Sequence, residues 1–203
     1  MSWYSASTNN LPLNELPASN DKKMKQVKKS IPPLDKMVKF QHLLSDGDFQ
    51  LLEQELDKPL NPGIRLNRIK CHPVTIDELV SRYNWEIKPV PYCASGWKVC
   101  KSDKPVSQSV EQRFGYYYIQ DTASMLPPEL FNFSGNPSPL ILDMAASPGG
   151  KTTHLADRSG DFGLIVANDN SRERITALKL ILQNWGVLNH AITQFPGEMF
   201  GEW

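Results

Sequence analysis

Three kinds of residue in this chain could do chemistry by type and spacing. The first is a turn, Ala145-Ala146-Ser147-Pro148-Gly149-Gly150, followed by Lys151-Thr152. Glycines there let a ligand approach the backbone with no Cβ in the way. The second is Asp169, about twenty residues past those glycines, the spacing at which the acid of a dinucleotide-binding fold reaches ribose hydroxyls. The third is the set of thiols, Cys71, Cys93 and Cys100. Their count is odd and no pair has C-x-x-C spacing, so neither a disulfide framework nor a zinc site is expected. No catalytic residue and no metal ligand is nominated, and Cys71, His72 and Cys93 are read as structural.

Elements of known type must position the turn. Leu140-Ile141-Leu142-Asp143 is an apolar run that reads as a buried parallel strand. A helix is expected from Lys151 to Asp157, offering unpaired N–H groups and the positive end of its dipole. Strand, glycine turn and helix together make a nucleotide-type site. Leu164 to Asn168 is the next apolar strand and ends at Asp169. Ser171 can cap a helix whose apolar face is Ile175, Leu178, Ile181, Leu182 and Trp185, with Gly186 just past its end. Ala191 to Phe195 reads as a third strand.

The same turn admits other readings. Ala145-x-x-x-x-Gly150-Lys151-Thr152 nearly meets the P-loop pattern, with Ala where that pattern has Gly, and would place Thr152 on magnesium. A glycine turn can also merely connect strand to helix. Asp169 favours a nucleoside cofactor, because a P-loop does not require an acid there.

Upstream, residues 1 to 33 are rich in Ser, Asn, Lys and Pro and are expected to be poorly ordered. Their basic cluster (Lys22, Lys23, Lys25, Lys28, Lys29) reads as a solvated segment, with a phosphate-contacting arm as the alternative. Residues 34–107 read as a small mixed module. A helix from Leu34 breaks at Ser45-Asp46-Gly47, and a second runs from Asp48 to Leu56. Gly63 to Ile69 is a strand, and Thr75 to Glu78 a capping box. Trp85 to Val90 and Ala94 to Val99 are further strands. Residues 108–203 open with an aromatic strand, Gly115 to Gln120, in which the tyrosines beside Arg113 either pack or stack on bases. Asp121 or Thr122 caps a helix that Pro127-Pro128 should interrupt, with a new turn from Glu129.

The chain has 203 residues, 22 basic and 22 acidic, so no global positive field argues for nucleic acid. No apolar run reaches the length of a membrane span and no signal-peptide core is present. A reducing, cytoplasmic location is expected.

Leu142 to Thr152 resembles the cofactor motif of the Nop/Sun-type RNA cytosine-5 methyltransferases, the bacterial 16S ribosomal RNA branch above all. Gly63 to Lys70 resembles the R-x-N segment of that family's RNA-side domain. Tyr117 to Pro127 resembles the segment leading into its catalytic domain, and Val166 to Asp169 with Arg174 its second cofactor motif. The resemblance implies an α/β chain: an N-terminal RNA-side module, then the first half of a doubly wound, Rossmann-like methyltransferase domain. It implies S-adenosylmethionine as cofactor, held by Ala145, Ala146, Ser147, Pro148, Gly149, Gly150 and Lys151, with Asp169 on the ribose. RNA is the implied partner, ribosomal first and transfer RNA second, and no membrane. In this family a cysteine attacks carbon 6 of an unpaired or flipped cytosine, which activates carbon 5 for methylation. The resemblance also removes the P-loop ambiguity.

This chain departs from the family in two ways. It stops at Trp203, before the positions of the Asp-Ala-Pro-Cys motif and the nucleophilic cysteine, so methyl transfer by it alone is not expected. Where the family has an acid that holds the adenine, the segment reads Phe195-Pro196-Gly197. The partial sheet should leave Leu140 to Asp143 as an apolar edge, favouring self-association or a partner that carries the missing half. A non-catalytic RNA-binding or accessory module is the alternative function, and a P-loop hydrolase a more distant one.

Overall fold

The computed structural model describes residue 38 and residues 40–56, 60–70 and 72–201. The expectations for residues 1–33, for most of the helix from Leu34, and for Cys71 lie outside the described residues. The chain divides into two units, residues 1–58 and 59–203.

In the first unit a 3₁₀ turn, Gln41–Leu43, precedes α1, Asp46–Leu56. The helix starts two residues earlier than expected. Ser45 Oγ accepts from the Asp48 N–H at 3.2 Å, so Ser45 is the cap and Asp46 and Asp48 fall in the first turn, where negative charge meets the helix dipole.

The second unit holds two sheets. The first is antiparallel and contains β1 (Gly63–Leu66), β2 (Glu86–Val90), β3 (Cys93–Lys101) and β4 (Tyr117–Ile119), in the order β2-β3-β1-β4. Helix α2, Ile76–Tyr83, starts with the expected capping box: Thr75 Oγ1 accepts from the Glu78 N–H, and the Glu78 carboxylate accepts from the Thr75 N–H at 2.8 Å. Its Leu79 joins Ile64, Trp85, Val99, Val106 and Tyr117 in one core.

Short helices follow. α3 is Val110–Arg113. A 3₁₀ turn, Thr122–Met125, capped by Asp121, runs directly into α4, Leu126–Glu129. Pro127 and Pro128 do not interrupt this helix. They occupy its first turn, where a missing N–H costs nothing and the fixed φ is already helical.

The second sheet is parallel: β5 (Leu140–Asp143), α5 (Gly150–Arg158), β6 (Leu164–Asn168), α6 (Arg172–Trp185) and β7 (His190–Thr193), with strand order β5-β6-β7. Leu142 pairs with Val166, and Ala167 with Ile192. Ile141, Ile165 and Ala167 pack with Leu155, Leu178, Leu182 and Trp185 of the two helices. The alternate positions of the strands lie on the other face. There Leu140 is 76 % exposed and Leu142 42 % exposed. The sequence of β5 reads as a strand buried on both faces; among the described residues only one face is covered.

Candidate functional site

The turn that joins β5 to α5 is shaped by close packing. Gly149 has φ +115°, and a Cβ there would stand 3.0 Å from Ile181 Cγ2 and 3.3 Å from Leu178 Cδ1. A Cβ on Gly150 would meet the Tyr118 ring at 3.1 Å. Gly149 is therefore needed for backbone conformation and for the approach of α5 to α6, and Gly150 for the close approach of α5 to Tyr118 of β4. Ala146, Ser147 and Gly149 are buried, whereas Ala145, Pro148 and Lys151 are exposed.

Hydrogen bonds tie this turn to the end of β6. The Ala146 N–H donates to the Asn168 carbonyl at 2.8 Å, and the Ser147 N–H to Asp169 Oδ2 at 3.2 Å. Asn168 Nδ2 donates to the Met144 and Phe195 carbonyls, so the ends of all three parallel strands are laced together. The turn and Asp169, far apart in sequence, thus meet at the carboxyl ends of the strands, where ligands bind in open α/β sheets. A cavity of about 340 Å³ opens there, lined by Met144, Ala145, Asp169, Asn170, Ser171 and Arg174. On the other side of the turn a second cavity of about 240 Å³ is lined by Tyr118, Gln120, Asp121, Ser124 and the stretch Ala145–Pro148, Gly150 and Lys151.

Asp169 is only 2 % exposed, and both of its oxygens are engaged. Oδ1 accepts from the Ser171 N–H at 3.0 Å; Oδ2 accepts from the Ser147 N–H and lies 3.1 Å from Arg174 Nη2. Arg174 also donates to the Ser147 carbonyl at 2.8 Å, and its side chain is largely exposed. The acid that the spacing singled out therefore organises the turn as well as lining the cavity.

Thr152 decides against a P-loop. Its side chain is fully buried and donates to Asp143 Oδ2 at 2.7 Å, so it faces the strand end and not a phosphate-bound cation.

Sequence reasoning missed what lies behind the turn. Arg65 and Asn67 of the R-x-N stretch are fully buried. Arg65 donates to Gln120 Oε1, to the Gly150 carbonyl and to Thr153 Oγ1, and its guanidinium carbon lies 4.5 Å from the centre of the Trp185 ring. Burial holds its pKa down, to about 10. Asn67 Nδ2 donates to the Gly115 and Trp185 carbonyls, and Arg68 pairs with the buried Asp157 of α5 at 3.0 Å. These residues lock the antiparallel sheet onto α5 and α6. The tyrosines mostly pack: Tyr117 is buried, Tyr118 lies edge-on to Trp185, and Tyr116 sits beneath Lys70.

Comparison with known proteins decides the family. The family described as the N-terminal domain of 16S rRNA methyltransferase RsmF matches residues 33–122, and that described as 16S rRNA methyltransferase RsmB/F matches residues 132–203. The chain belongs to the RsmB/F family. Among curated RsmB/F relatives, the ribosomal RNA small subunit methyltransferase F of Shewanella woodyi is 39% identical over 149 residues, 72% of this chain and 31% of the relative. The same enzyme of Enterobacter sp. (strain 638) is 37% identical over 147 residues, 71% of this chain and 31% of the relative. The chain thus spans about a third of the length of the curated relatives it matches. A methyltransferase homologue from Pyrococcus horikoshii, 29% identical, superposes with a TM-score of 0.70 over 83% of this chain and 58% of its own. The RsmB/F assignment agrees with the Rossmann-like half-domain expected from the cofactor motif. Among the described residues no helix is long and apolar enough to cross a membrane.

Proposed function

We propose that this chain carries the S-adenosylmethionine half-site of an RNA (cytosine-5) methyltransferase that acts on ribosomal RNA in the cytoplasm. One observation carries the reading: the Ala145–Lys151 turn and Asp169 meet across the Ser147–Asp169 hydrogen bond at the carboxyl end of a parallel sheet. The cavity chemistry suits the ligand. Met144 and Ala145 offer apolar surface for an adenine, and Asp169 and Ser171 offer polar groups for ribose hydroxyls. When bound, the cofactor supplies an electrophilic methyl group.

The protein's own residues bind and orient. Gly149 and Gly150 let the turn pack against α6 and Tyr118, which sets the backbone of Ala145–Pro148 beside the two cavities. Asp169 accepts from the ribose in place of Arg174, whose exposed side chain can withdraw. RNA contact is assigned to the N-terminal part of the chain. The attacking thiolate that the chemistry needs is not Cys93, which is buried and whose thiol is pushed up by that burial. The edge of β5, with the exposed Leu140 and Leu142 beside it, is the surface for self-association or for a partner that continues the sheet.

Calorimetric titration of the chain with S-adenosylmethionine tests the reading, alongside Lys151→Ala and a Lys151→Ala/Asp169→Ala double variant. Saturable binding that the folded variants weaken supports it. A cooperatively folded chain that takes up no cofactor refutes it and moves the weight to a non-catalytic RNA-binding module, for which Pro196 in place of an adenine-holding acid already speaks.

A further inference from the structure

Behind the cofactor turn, three side chains with metal-ligating chemistry converge from three elements. Cys93 opens β3, Glu129 closes α4 and His154 stands in the middle of α5. One ligand atom from each lies within 4.8 Å of the other two. Cys93 Sγ is 3.7 Å from His154 Nε2, and His154 Nε2 is 2.9 Å from Glu129 Oε1. Cys93 and His154 are buried, and Glu129 is half-buried.

We propose that Cys93, Glu129 and His154 form a zinc-binding site. A thiolate, an imidazole nitrogen and a carboxylate oxygen are the donors zinc prefers. Around a tetrahedral zinc with ordinary bond lengths, sulfur and nitrogen stand about 3.6 Å apart, and nitrogen and oxygen about 3.3 Å apart. The first separation is already met. The second needs an opening of a few tenths of an ångström, which follows once the metal replaces the hydrogen bond. All three donors sit at element ends or within a helix whose backbones are fixed by packing, so little ordering remains to be done on binding.

Nor is the site a catalytic triad. The thiol and the carboxylate approach the same imidazole nitrogen, whereas a triad needs one on each nitrogen. His154 Nδ1 is buried with no hydrogen-bond partner among the described residues, so the hydrogen bond from Nε2 to Glu129 alone sets the tautomer, and a metal on Nε2 must outweigh the cost of an unpaired N–H at Nδ1. The other groups around the cluster suit a supporting shell. Arg158 Nε holds Glu129 Oε2 at 3.1 Å and leaves Oε1 for the metal, and Ser95 Oγ stands 3.7 Å from Cys93 Sγ. Arg65 is the remaining cation close enough to act on the His154 imidazole. On binding, the Cys93 proton leaves to solvent and the His154 proton moves from Nε2 to Nδ1. Thiolate, carboxylate and Zn²⁺ then sum to zero charge, which offsets the cost of burying them. The function is a staple between the antiparallel sheet and the helix that begins at the cofactor turn.

The chain holds three cysteines, so a Cys71→Ser/Cys100→Ser chain leaves Cys93 as its only thiol. Titrating that chain with cobalt(II) should give a thiolate-to-cobalt charge-transfer band that saturates at one equivalent. Zinc should bleach the band, because zinc outcompetes cobalt at such sites. His154→Gln in the same background should abolish it. A folded single-thiol chain without the band, or a band that His154→Gln leaves intact, overturns the proposal. A second measurement needs no substitution: zinc should slow alkylation of Cys93 in the native chain by the factor 1 + [zinc]/Kd. An unchanged Cys93 rate overturns the site equally.

Discussion

Arg65 Nη2 donates to Thr153 Oγ1 at 2.7 Å and to the Gly150 carbonyl at 3.2 Å, so a strand of the antiparallel sheet holds the first turn of the helix that follows the cofactor turn. The contact spans 88 residues of sequence. It makes the placement of the glycine turn depend on a residue that touches neither cavity. Replacing Arg65 by Ala leaves Gln120 Oε1 without its donor and opens a void beside Trp185. The expected loss is about 2–4 kcal/mol of stability, read from urea unfolding. Arg65→Lys should recover less than half of this, since an ammonium cannot reproduce a planar fork that also stacks on an indole. A shift below about 0.5 kcal/mol for both variants would show that the contact contributes little.

Gly149→Ala tests the turn directly. With φ at +115° and Ile181 at 3.0 Å from an added Cβ, the variant meets both backbone strain and overlap. A loss of about 1–3 kcal/mol is expected in thermal or urea unfolding, together with weakened S-adenosylmethionine binding. Gly197→Ala, where an added Cβ meets nothing within 4 Å, is the matched control and should change stability by less than about 0.5 kcal/mol.

Pro196→Asp should strengthen cofactor binding. Pro196 is exposed just beyond β7, at the position where the family resemblance implies an acid for the adenine. One added hydrogen bond is worth about 0.5–1.5 kcal/mol, or roughly two- to tenfold in affinity by calorimetry. An unchanged or weaker dissociation constant would mean that the backbone there does not aim the carboxylate at the ligand.

Tyr117 sets an alkaline limit. It is buried and hydrogen-bonded to Ser109, and burial pushes its phenol up to about 12 from an ordinary value near 10. The unfolded chain therefore releases this proton first as pH rises. The contribution of Tyr117 is fully present below pH 10 and is lost between about pH 10 and 12, to a total of roughly 2–3 kcal/mol. Unfolding free energies measured across that range should fall in the native chain and fall less steeply in Tyr117→Phe.

Thr75→Ala removes one half of the capping box on α2 and should cost about 1 kcal/mol, with Glu78→Gln costing less because the amide can still accept from the Thr75 N–H. Both are surface positions, so melting temperatures report the cap alone.

Local chemistry was readable along the chain. The capping box at Thr75, the helix from Arg172 to Gly186 and the three strands with alternating helices follow from periodicity, caps and turn residues, which act within a few positions of one another. The cofactor motif is of the same kind, because strand, glycine turn and helix are consecutive. Errors at this level were also local: α1 starts at Asp46 because Ser45 and not a later residue caps it, and Pro127-Pro128 begin a helix instead of breaking one.

What partners meet across long separations was decided only in three dimensions. The type and spacing of Arg65 and Asn67 suggest a polar strand face, yet the register of β1 between β3 and β4 turns Arg65 onto α5 and brings Asn67 to Trp185, 118 residues away. Asp169 reads as a ribose ligand, and the fold adds what spacing does not show: its oxygens also accept from the Ser147 and Ser171 N–H groups and pair with Arg174. Cys93 and His154 show no ligand spacing, being 61 residues apart, and become neighbours because β3 and α5 pack together. Residue types and short-range pattern specify the elements and the motif. Strand register and the fit of side chains between sheets, which no local pattern encodes, determine which of those residues share a site.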